Sequence, residues 1–359
     1  MKEKDMKDRK RILIIAGCTD KKLISKISPI LDSRYVEEVY LVRNTEMQYS
    51  HPKLIQYSVF KPFRKILPLR ELNRIISSIY ILLFKRIDII LSIHFLMHGV
   101  YGYFLSKIFK KRHIFLFIES PRKYTKDRLM IKMLKEAYLV GVRGSDSMQY
   151  LLEKGIAKDK IFIPPNEFEI QNIKVRNKKK IYDLIYIGNF VDVKDLPLWV
   201  DTVECVKKDF PDIKCIMVGD GKEFNNIKER IHSKVLSESI ELVGRKNNVN
   251  EYIEKSKLLL MTSKSEGLPM VVVECMAYGV PAVVPNVGDI KDLVIQGKNG
   301  TIVNTRDPKE FAKEIVNLLK DKKRYREMSL ECIESIKKIV NNTSHDKLVE
   351  LWDSLLKNI

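Results

Sequence analysis

The chain alternates short apolar segments with helical patterns twice over, and this alternation constrains its fold more than any other feature. The segments are rich in Ile, Leu and Val and nearly continuous, which is typical of strands covered on both faces. The predicted strands are 11–17, 38–43, 87–94, 113–119, 138–143, 161–164, 182–187, 214–218, 241–243, 257–261, 281–284 and 300–303. Alternation of this kind predicts an α/β fold with mostly parallel sheets.

A break separates the two series of strands. Pro164, Pro165 and Asn166 interrupt the pattern, and a polar stretch follows as far as Lys180. A chain of 359 residues is long enough for two domains of about 150–200 residues each. We therefore predict a Rossmann-like domain at 1–168, a linker at 169–180 and a second Rossmann-like domain at 181–339. The last residues, about 340–359, are predicted to be helical.

The positive charge is confined to one half of the chain. Residues 1–180 hold 38 Lys and Arg against 18 Asp and Glu, whereas residues 181–359 hold 27 against 28. A basic half favours an anionic partner, which leaves nucleic acid, an anionic membrane surface, a phosphorylated substrate or an ordinary solvated face as interpretations.

Several classes of protein are disfavoured by the sequence. The apolar run Ile79–Phe84 is ended by Lys85 and is far shorter than the ~20 residues of a membrane-spanning helix. Five scattered Cys predict no disulfide scaffold and suit a reducing, cytoplasmic compartment. The six His are scattered and no D-x-D triplet occurs, so we expect no metal site.

The segment 265–281 has the richest chemistry. Gly267 and Pro269 follow a predicted strand and open a helix over 269–278, whose free N–H groups suit a phosphate. Glu266 precedes this helix and Glu274 lies in it, so both carboxylates can flank one anion site. Carboxylates accept hydrogen bonds from sugar hydroxyls, and the combination predicts a nucleotide-sugar site. The alternative is that Glu274 is a cap or an ion-pair partner on an ordinary helix.

Two further turns follow predicted strands of the second half. Gly188 permits a sharp turn, and Lys194 lies where it can reach a diphosphate. Gly219 forms another turn, and Arg245 follows the third strand, where a nucleotide base could lie against the backbone.

Residues 181–325 resemble the retaining family-4 (group 1) glycosyltransferases of the GT-B fold. The resemblance rests on the spacing of Glu266 and Glu274 and on the order of the segments 188–194, 218–221 and 242–245. It implies two Rossmann-like domains that face a central cleft and a C-terminal helix that crosses back to the N-terminal domain. The N-terminal half fits only in general design.

The resemblance also implies a role for each residue at the donor site. Glu274 would hold the ribose hydroxyls, Glu266 would contact the transferred sugar, and Gly17 would let the N-terminal domain approach the diphosphate. The backbone near Arg245 would meet the base. The diphosphate itself would be held by Gly188, Asn189, Lys194 and the amides of Gly267, Leu268, Pro269 and Met270. Pro269 is also a favourable first helical residue.

The sequence departs from the family pattern at two positions. Asn189 stands where the family usually has Arg, so the leaving diphosphate would depend more on Lys194. Asp195 stands where Gly is usual, and we expect it to cap the next helix.

The acceptor side carries fewer signals. His94, His98 and Glu119 end or follow predicted strands of the N-terminal half, and of these we interpret His98 as structural and Glu119 as the best catalytic candidate. The segment Phe60–Arg70 interleaves cations with aromatic and aliphatic residues, which suits an anionic membrane interface or an ordinary surface loop.

The residues and the resemblance together predict a metal-independent glycosyltransferase of the hexosyltransferase class. Its catalytic residues would be Glu266, Lys194 and Glu119, its co-substrate a nucleotide-diphosphate sugar with a UDP-sugar as first choice, and its acceptor a glycan or lipid-linked glycan. It would need no cofactor and would act in the cytoplasm, peripherally on the inner membrane face. The alternatives are a nucleotide-binding or scaffold protein without turnover and a basic nucleic-acid-binding protein, although no helix-turn-helix or RNP-like sequence is found.

Overall fold

The computed structural model describes residues 9–124, 127–164 and 179–359. The chain divides into two compact units. The first comprises Met1–Glu167 and Asn342–Ile359, and the second comprises Phe168–Asn341. The predicted linker 169–180 lies outside the described residues except for its last two positions, as do Pro165 and Asn166.

The first unit contains a seven-stranded parallel sheet. Its order is β3-β2-β1-β4-β5-β6-β7. The strands are β1 (Lys10–Ala16), β2 (Val36–Arg43), β3 (Leu54–Ser58), β4 (Ile89–Ile93), β5 (Arg112–Leu116), β6 (Leu139–Gly141) and β7 (Ile161–Phe162). The helices are α1 (Asp20–Asp32), α2 (Leu67–Phe84), α3 (Val100–Ile108), α4 (Arg128–Glu136) and α5 (Ser145–Glu153).

The second unit contains a six-stranded parallel sheet in the order β10-β9-β8-β11-β12-β13. The strands are β8 (Tyr182–Ile187), β9 (Cys215–Val218), β10 (Ile240–Leu242), β11 (Ser256–Leu260), β12 (Ala282–Pro285) and β13 (Gly300–Val303). The helices are α6 (Leu196–Lys207), α7 (Phe224–Ser233), α8 (Asn250–Glu254), α9 (Met270–Ala277), α10 (Pro308–Lys320) and α11 (Lys322–Asn342).

The C-terminal helix α12 (His345–Lys357) packs in the first unit, against α1. Ser33 donates a hydrogen bond to the Asp353 carboxylate at 2.6 Å, and the ring of Trp352 meets that of Phe162 edge to face at 5.7 Å. The predicted return of the C-terminal helix to the N-terminal domain is therefore confirmed.

The apolar strands are buried between helices on both faces of each sheet. In the first unit, Ile12 and Ile14 of β1 pack with α1 and α12, whereas Leu13 and Ile15 pack with α2 and α3. This two-sided burial explains the nearly continuous apolar runs and confirms the predicted α/β class.

Two elements differ from the sequence expectation. Strand β3 was not predicted, because all five of its residues are only half-buried and it therefore lacks an apolar run. The segment Phe60–Arg70, interpreted as an anionic membrane interface or an ordinary surface loop, forms a short 3-10 turn at Lys61–Phe63 and then the first residues of α2.

Candidate functional site

The candidate donor site of the second unit lies at the point where its strand order reverses. Strand β8 lies between β9 and β11, so the loops after β8 and β11 diverge at the carboxyl edge of the sheet. Open parallel sheets bind ligands in the crevice formed at such a position. The two loops are 188–195 and 261–269, which contain most of the predicted site residues.

An ion pair joins the two loops. The Nζ of Lys194 lies 2.6 Å from Oε1 of Glu266, and their side chains are 26% and 12% exposed. The sequence identified both residues as candidates, and the fold brings them into contact across 72 positions of the chain. Because the ion pair already holds the Lys194 side chain in place, the binding of an anionic ligand there would not have to order that side chain first.

The loop that carries Lys194 is held by hydrogen bonds from Thr262 and Arg306, which the sequence analysis did not identify. The hydroxyl of Thr262 donates to the carbonyl oxygens of Lys194 and Asp195, at 3.1 and 2.9 Å. Arg306 donates to the carbonyl of Ser263 at 2.9 Å, to that of Thr262 and to the Asp195 carboxylate. The one available signal was that Arg306 follows β13 at the carboxyl edge of the sheet.

The expectation that Asp195 caps the following helix is wrong. Asp195 occupies the N-cap position of α6, but its side chain makes no capping hydrogen bond there. Its carboxylate pairs with Arg306 instead, and its backbone adopts a left-handed conformation with φ of 48°. The residue therefore positions Lys194 through the loop rather than stabilising the helix end.

The turn after β8 lies so close to the turn after β9 that the facing residue, Gly219, must be glycine. A Cβ on Gly219 would lie 1.8 Å from the Gly188 carbonyl oxygen, and Gly188 N–H donates to Val218 O at 3.0 Å. The buried hydroxyl of Tyr186 donates to the carbonyl of Asn189 at 2.9 Å, while Asn189 itself is exposed. Burial, with the charge of Glu266, raises the pKa of Tyr186, so the hydroxyl stays a neutral donor.

The turn after β11 is held by a second glycine. Gly288 has φ of 56°, and a Cβ there would lie 2.1 Å from the Glu266 carbonyl oxygen. The N–H of Asp289 donates to the carbonyl of Gly267 at 3.0 Å. The peptide groups that precede α9 are thus fixed by the 288–289 turn.

Helix α9 begins one residue later than predicted. Pro269 is the N-cap residue, with ψ of 109°, and Met270 is the first helical residue and 37% exposed. Leu268 packs on the core, and Glu274 is half-buried on the helix. The helix therefore presents its N-terminus at the carboxyl edge of the sheet, where its dipole favours an anion.

Arg245, the residue expected near the base, is exposed in the loop after β10, between Lys246 and the turn at Gly244. Gly244 has φ of 68° and its carbonyl accepts from Gly219 N–H at 2.9 Å. This hydrogen bond ties the loop after β10 to the turn beside Gly188.

The first unit has an equivalent edge after β1 and β4. A Cβ on Gly17 would lie 2.2 Å from the His98 ring, so the turn and the ring pack directly. The His98 Nε2 lies 2.6 Å from Nη1 of Arg74, which Glu71 binds at 3.0 Å. Burial, with the charge of Arg74, lowers the pKa of His98 to about 3, so the neutral ring accepts the hydrogen bond from Arg74.

Glu119 lies in a separate polar group at the same edge. It accepts hydrogen bonds from Lys123 at 2.7 Å and from Tyr124, whose ring lies 6.0 Å from that of His94. Burial raises the pKa of Glu119, but the hydrogen bonds from Lys123 and Tyr124 outweigh burial and hold it below its usual value. Glu119 is therefore an ionised acceptor. His94 has φ of 81°, a strained conformation that is common at functional sites.

Within the ranges that the structure describes, no group of three or more His, Cys, Asp or Glu is arranged to hold a metal ion. Among the same residues, no helix is long and apolar enough to cross a membrane.

Comparisons with known proteins match the second unit to one family. Residues 167–338 match the model described as glycosyl transferases group 1. The N-acetyl-alpha-D-glucosaminyl L-malate synthase of Bacillus anthracis is 29% identical over 178 residues, 49% of this chain and 45% of that protein. The capsular polysaccharide biosynthesis glycosyltransferase CapH of Staphylococcus aureus is 29% identical over 164 residues, 44% of this chain and 45% of that protein. The match spans about half the length of these relatives.

Solved structures match over nearly the whole chain. HepE from Anabaena in complex with UDP has a TM-score of 0.75 at 16% identity, with 97% of this chain and 100% of HepE covered. The complex of HepE with UDP-glucose has a TM-score of 0.73, also at 16% identity, over 98% and 100% of the chains. This likeness concerns the fold, and it confirms the predicted GT-B fold.

Proposed function

Because residues 167–338 belong to the group 1 glycosyltransferases, we propose that this chain transfers a sugar from a nucleotide-diphosphate sugar to a glycan or lipid-linked acceptor. A UDP-sugar is the first choice of donor, since HepE binds UDP and UDP-glucose. The product would belong to a cell-surface polysaccharide or glycolipid, in line with the capsular polysaccharide relative. The observation that carries the proposal is the contact of Lys194 with Glu266 at the edge where β8 and β11 diverge.

In the proposed reaction, the bond between the sugar and the diphosphate breaks, and the acceptor oxygen bonds to the same sugar carbon. Negative charge grows on the departing phosphate, which can take up the proton that the acceptor hydroxyl loses. Lys194 neutralises part of this charge, and the amides before α9 donate hydrogen bonds to the phosphate oxygens. Donors that are already fixed stabilise such charge without reorganising, which is usually the largest contribution to catalysis. The hydrogen bonds from Thr262 and Arg306 supply that rigidity around Lys194.

The two carboxylates have different tasks in this proposal. Glu266 accepts hydrogen bonds from hydroxyls of the transferred sugar, and Glu274 accepts them from the ribose hydroxyls. The sugar passes through an oxocarbenium-like state, which the nearby negative charge of Glu266 stabilises. The anomeric configuration is retained, and no metal is required because Lys194 and the amides take the place of a divalent cation.

On the first unit, we assign Glu119 to the acceptor. Its carboxylate is ionised and partly exposed, so it can accept a hydrogen bond from the acceptor hydroxyl. The protein would act in the cytoplasm, and peripherally on the inner membrane face if the acceptor is lipid-linked. The basic first half of the chain supports this location.

A second candidate is a nucleotide-binding protein without turnover. It is favoured by Asn189, which is exposed after the first strand of the second unit and carries no charge for a leaving diphosphate. Transfer of sugar from any donor would exclude it.

The test is transfer of radiolabelled sugar from a panel of UDP-sugars into the lipid and polymer fractions of bacterial membranes. We expect Lys194→Met to reduce transfer by at least about a hundredfold, since removing one such electrostatic donor costs on that order. Lys264→Met is the matched control, because Lys264 pairs with Asp192 at 2.9 Å between the same two loops but is more exposed. Equal activity of the two variants would contradict the role of Lys194.

A further inference from the structure

Helix α2 has its polarity inverted with respect to an ordinary surface helix. Its buried face carries Glu71, Arg74 and Ser78 beside Ile81 and Leu82. Its outward face is apolar and consists of Leu72, Ile76, Tyr80, Leu83 and Phe84, each at least half exposed. These positions follow a spacing of three to four residues, so they form one stripe along the helix. A stripe of this kind on the water side of a helix indicates contact with an apolar environment.

Helix α3 extends the apolar surface. Ile81 of α2 and Leu105 of α3 pack into the same core cluster, so both helices cover the same face of the sheet. On its outward side α3 exposes Phe104 at 49% and Ile108 at 71%. We define the outer apolar face as Leu72, Ile76, Tyr80, Leu83, Phe84, Phe104 and Ile108.

The chain around this face is strongly basic. Residues 60–87 hold seven Lys and Arg against one carboxylate, Glu71, which is buried against Arg74. Residues 95–112 hold four Lys and Arg and no carboxylate. Both helices run into neighbouring parallel strands, so their C-terminal ends lie at the same edge of the sheet. The cations that follow there are Lys85, Arg86, Lys110 and Lys111.

We propose that the outer apolar face docks into the interfacial region of an anionic bilayer. The 18-residue α2 would lie along the surface over about 27 Å, with its apolar stripe at the boundary of headgroups and acyl chains. The cations at the helix ends would meet anionic headgroups. The proposal rests on the membrane association proposed above but not on sugar transfer, so it can be tested without a donor or an acceptor.

Charge favours a bilayer over a second copy of the chain as the occupant. A symmetric dimer through this face would bring two sets of cations together, and like charges across an interface destabilise it. An anionic bilayer supplies both the apolar environment and the opposite charge.

The structure also changes the roles of the cations that precede α2. Arg64 donates to the carbonyl of Val59 at 2.9 Å, so it holds the turn. Lys61 and Lys65 are exposed and remain available to a surface. A test that mutates Arg64 would therefore confuse folding with docking.

The first test is flotation of the full chain with vesicles of phosphatidylglycerol and of phosphatidylcholine. We expect binding to the anionic vesicles and a loss of at least about tenfold in the triple variant Ile76→Ser, Leu83→Ser and Phe84→Ser, which removes three insertable side chains. The matched control is Val235→Ser with Leu330→Ser, which changes two exposed apolar residues of the second unit. Unchanged binding of the triple variant would overturn the proposal.

The second test separates charge from apolar contact and from dimer formation. Lys85→Ser with Lys110→Ser and Lys111→Ser should weaken binding to anionic vesicles by about a hundredfold, whereas Lys309→Ser with Lys313→Ser should not. Equal binding of the wild type to neutral and anionic vesicles would overturn the proposal. So would a dimer in light scattering that the Ile76, Leu83 and Phe84 variant converts to monomer. Melting curves for every variant exclude misfolding as the cause of lost binding.

Discussion

Arg306 fixes the loop that carries Lys194 by donating a hydrogen bond to the Asp195 carboxylate, although the two residues lie 111 positions apart in the chain. It touches no predicted ligand atom, so it acts as a positioning residue. Lys194 and Glu266 were identified from turn and helix signals in the sequence, because each lies in a short loop with local markers. Arg306 and Thr262 were not, because their roles exist only through hydrogen bonds to distant carbonyl groups.

We expect Arg306→Ala to weaken nucleotide binding by about tenfold, since the hydrogen bonds of a charged donor each contribute roughly 1.5–3 kcal/mol. Arg306→Lys should recover part of the affinity, because it keeps the charge but not the fork of donors. Titration calorimetry with UDP measures both. An unchanged affinity with a lower melting temperature would show that Arg306 only stabilises the fold.

The strands were predicted more completely than the helices and turns. Twelve of the thirteen strands in the described ranges have apolar runs that the sequence displays, whereas β3 lies at the sheet edge with half-buried residues and displays none. The buried face of α2 could not be predicted from the sequence, because it contains Glu71 and Arg74 while the apolar period of the helix points outward. Elements whose buried residues are apolar can therefore be predicted from the sequence. Elements with half-buried or polar residues on the buried face are harder to predict.

The turn at Gly288 offers a test at the level of the element. Gly288→Ala should destabilise the second unit and weaken nucleotide binding, because the new Cβ would lie 2.1 Å from the Glu266 carbonyl oxygen. Gly297→Ala is the matched control: Gly297 has φ of 75°, but a Cβ there would meet no atom of the described residues within 4 Å. It should cost only the strain of a left-handed alanine, about 1 kcal/mol. Equal effects on UDP affinity would contradict the proposed coupling of this turn to the site.

At the scale of the whole molecule, the two sheets and the return of α12 followed from the pattern of strands and the family resemblance. The path of each loop could not be predicted from the sequence, because it depends on contacts between distant segments, such as that of Gly188 with Gly219. The excess of Lys and Arg in the first half, by contrast, could be counted in the sequence. The fold places part of this charge around the outer apolar face.

Acid should destabilise the first unit through two buried histidines. Burial lowers the pKa of His98 and of His113 to about 3, with smaller contributions from Arg74 and Lys107. The unfolded chain binds these protons below its pKa of about 6.5, whereas the folded chain does not. The free energy of unfolding should therefore fall as the pH drops from about 6.5 towards 3, by up to about 1.4 kcal/mol per pH unit for each histidine.

Urea unfolding of the first unit at pH 7, 6 and 5 measures this slope. His113→Gln should flatten it, whereas His232→Gln, at an exposed position of the second unit, should leave it unchanged. A slope that stays the same in His113→Gln would contradict the assignment.

The most direct test of the central claim, that the edge between β8 and β11 binds a nucleotide-diphosphate sugar, is a calorimetric titration with UDP, GDP and ADP without added metal. We predict that one of them binds, UDP first, and that Glu274→Gln lowers the affinity by about tenfold with little change in melting temperature. Glu310→Gln, an exposed carboxylate on α10, is the control. Binding of none of the three, or wild-type affinity in Glu274→Gln, would contradict the account.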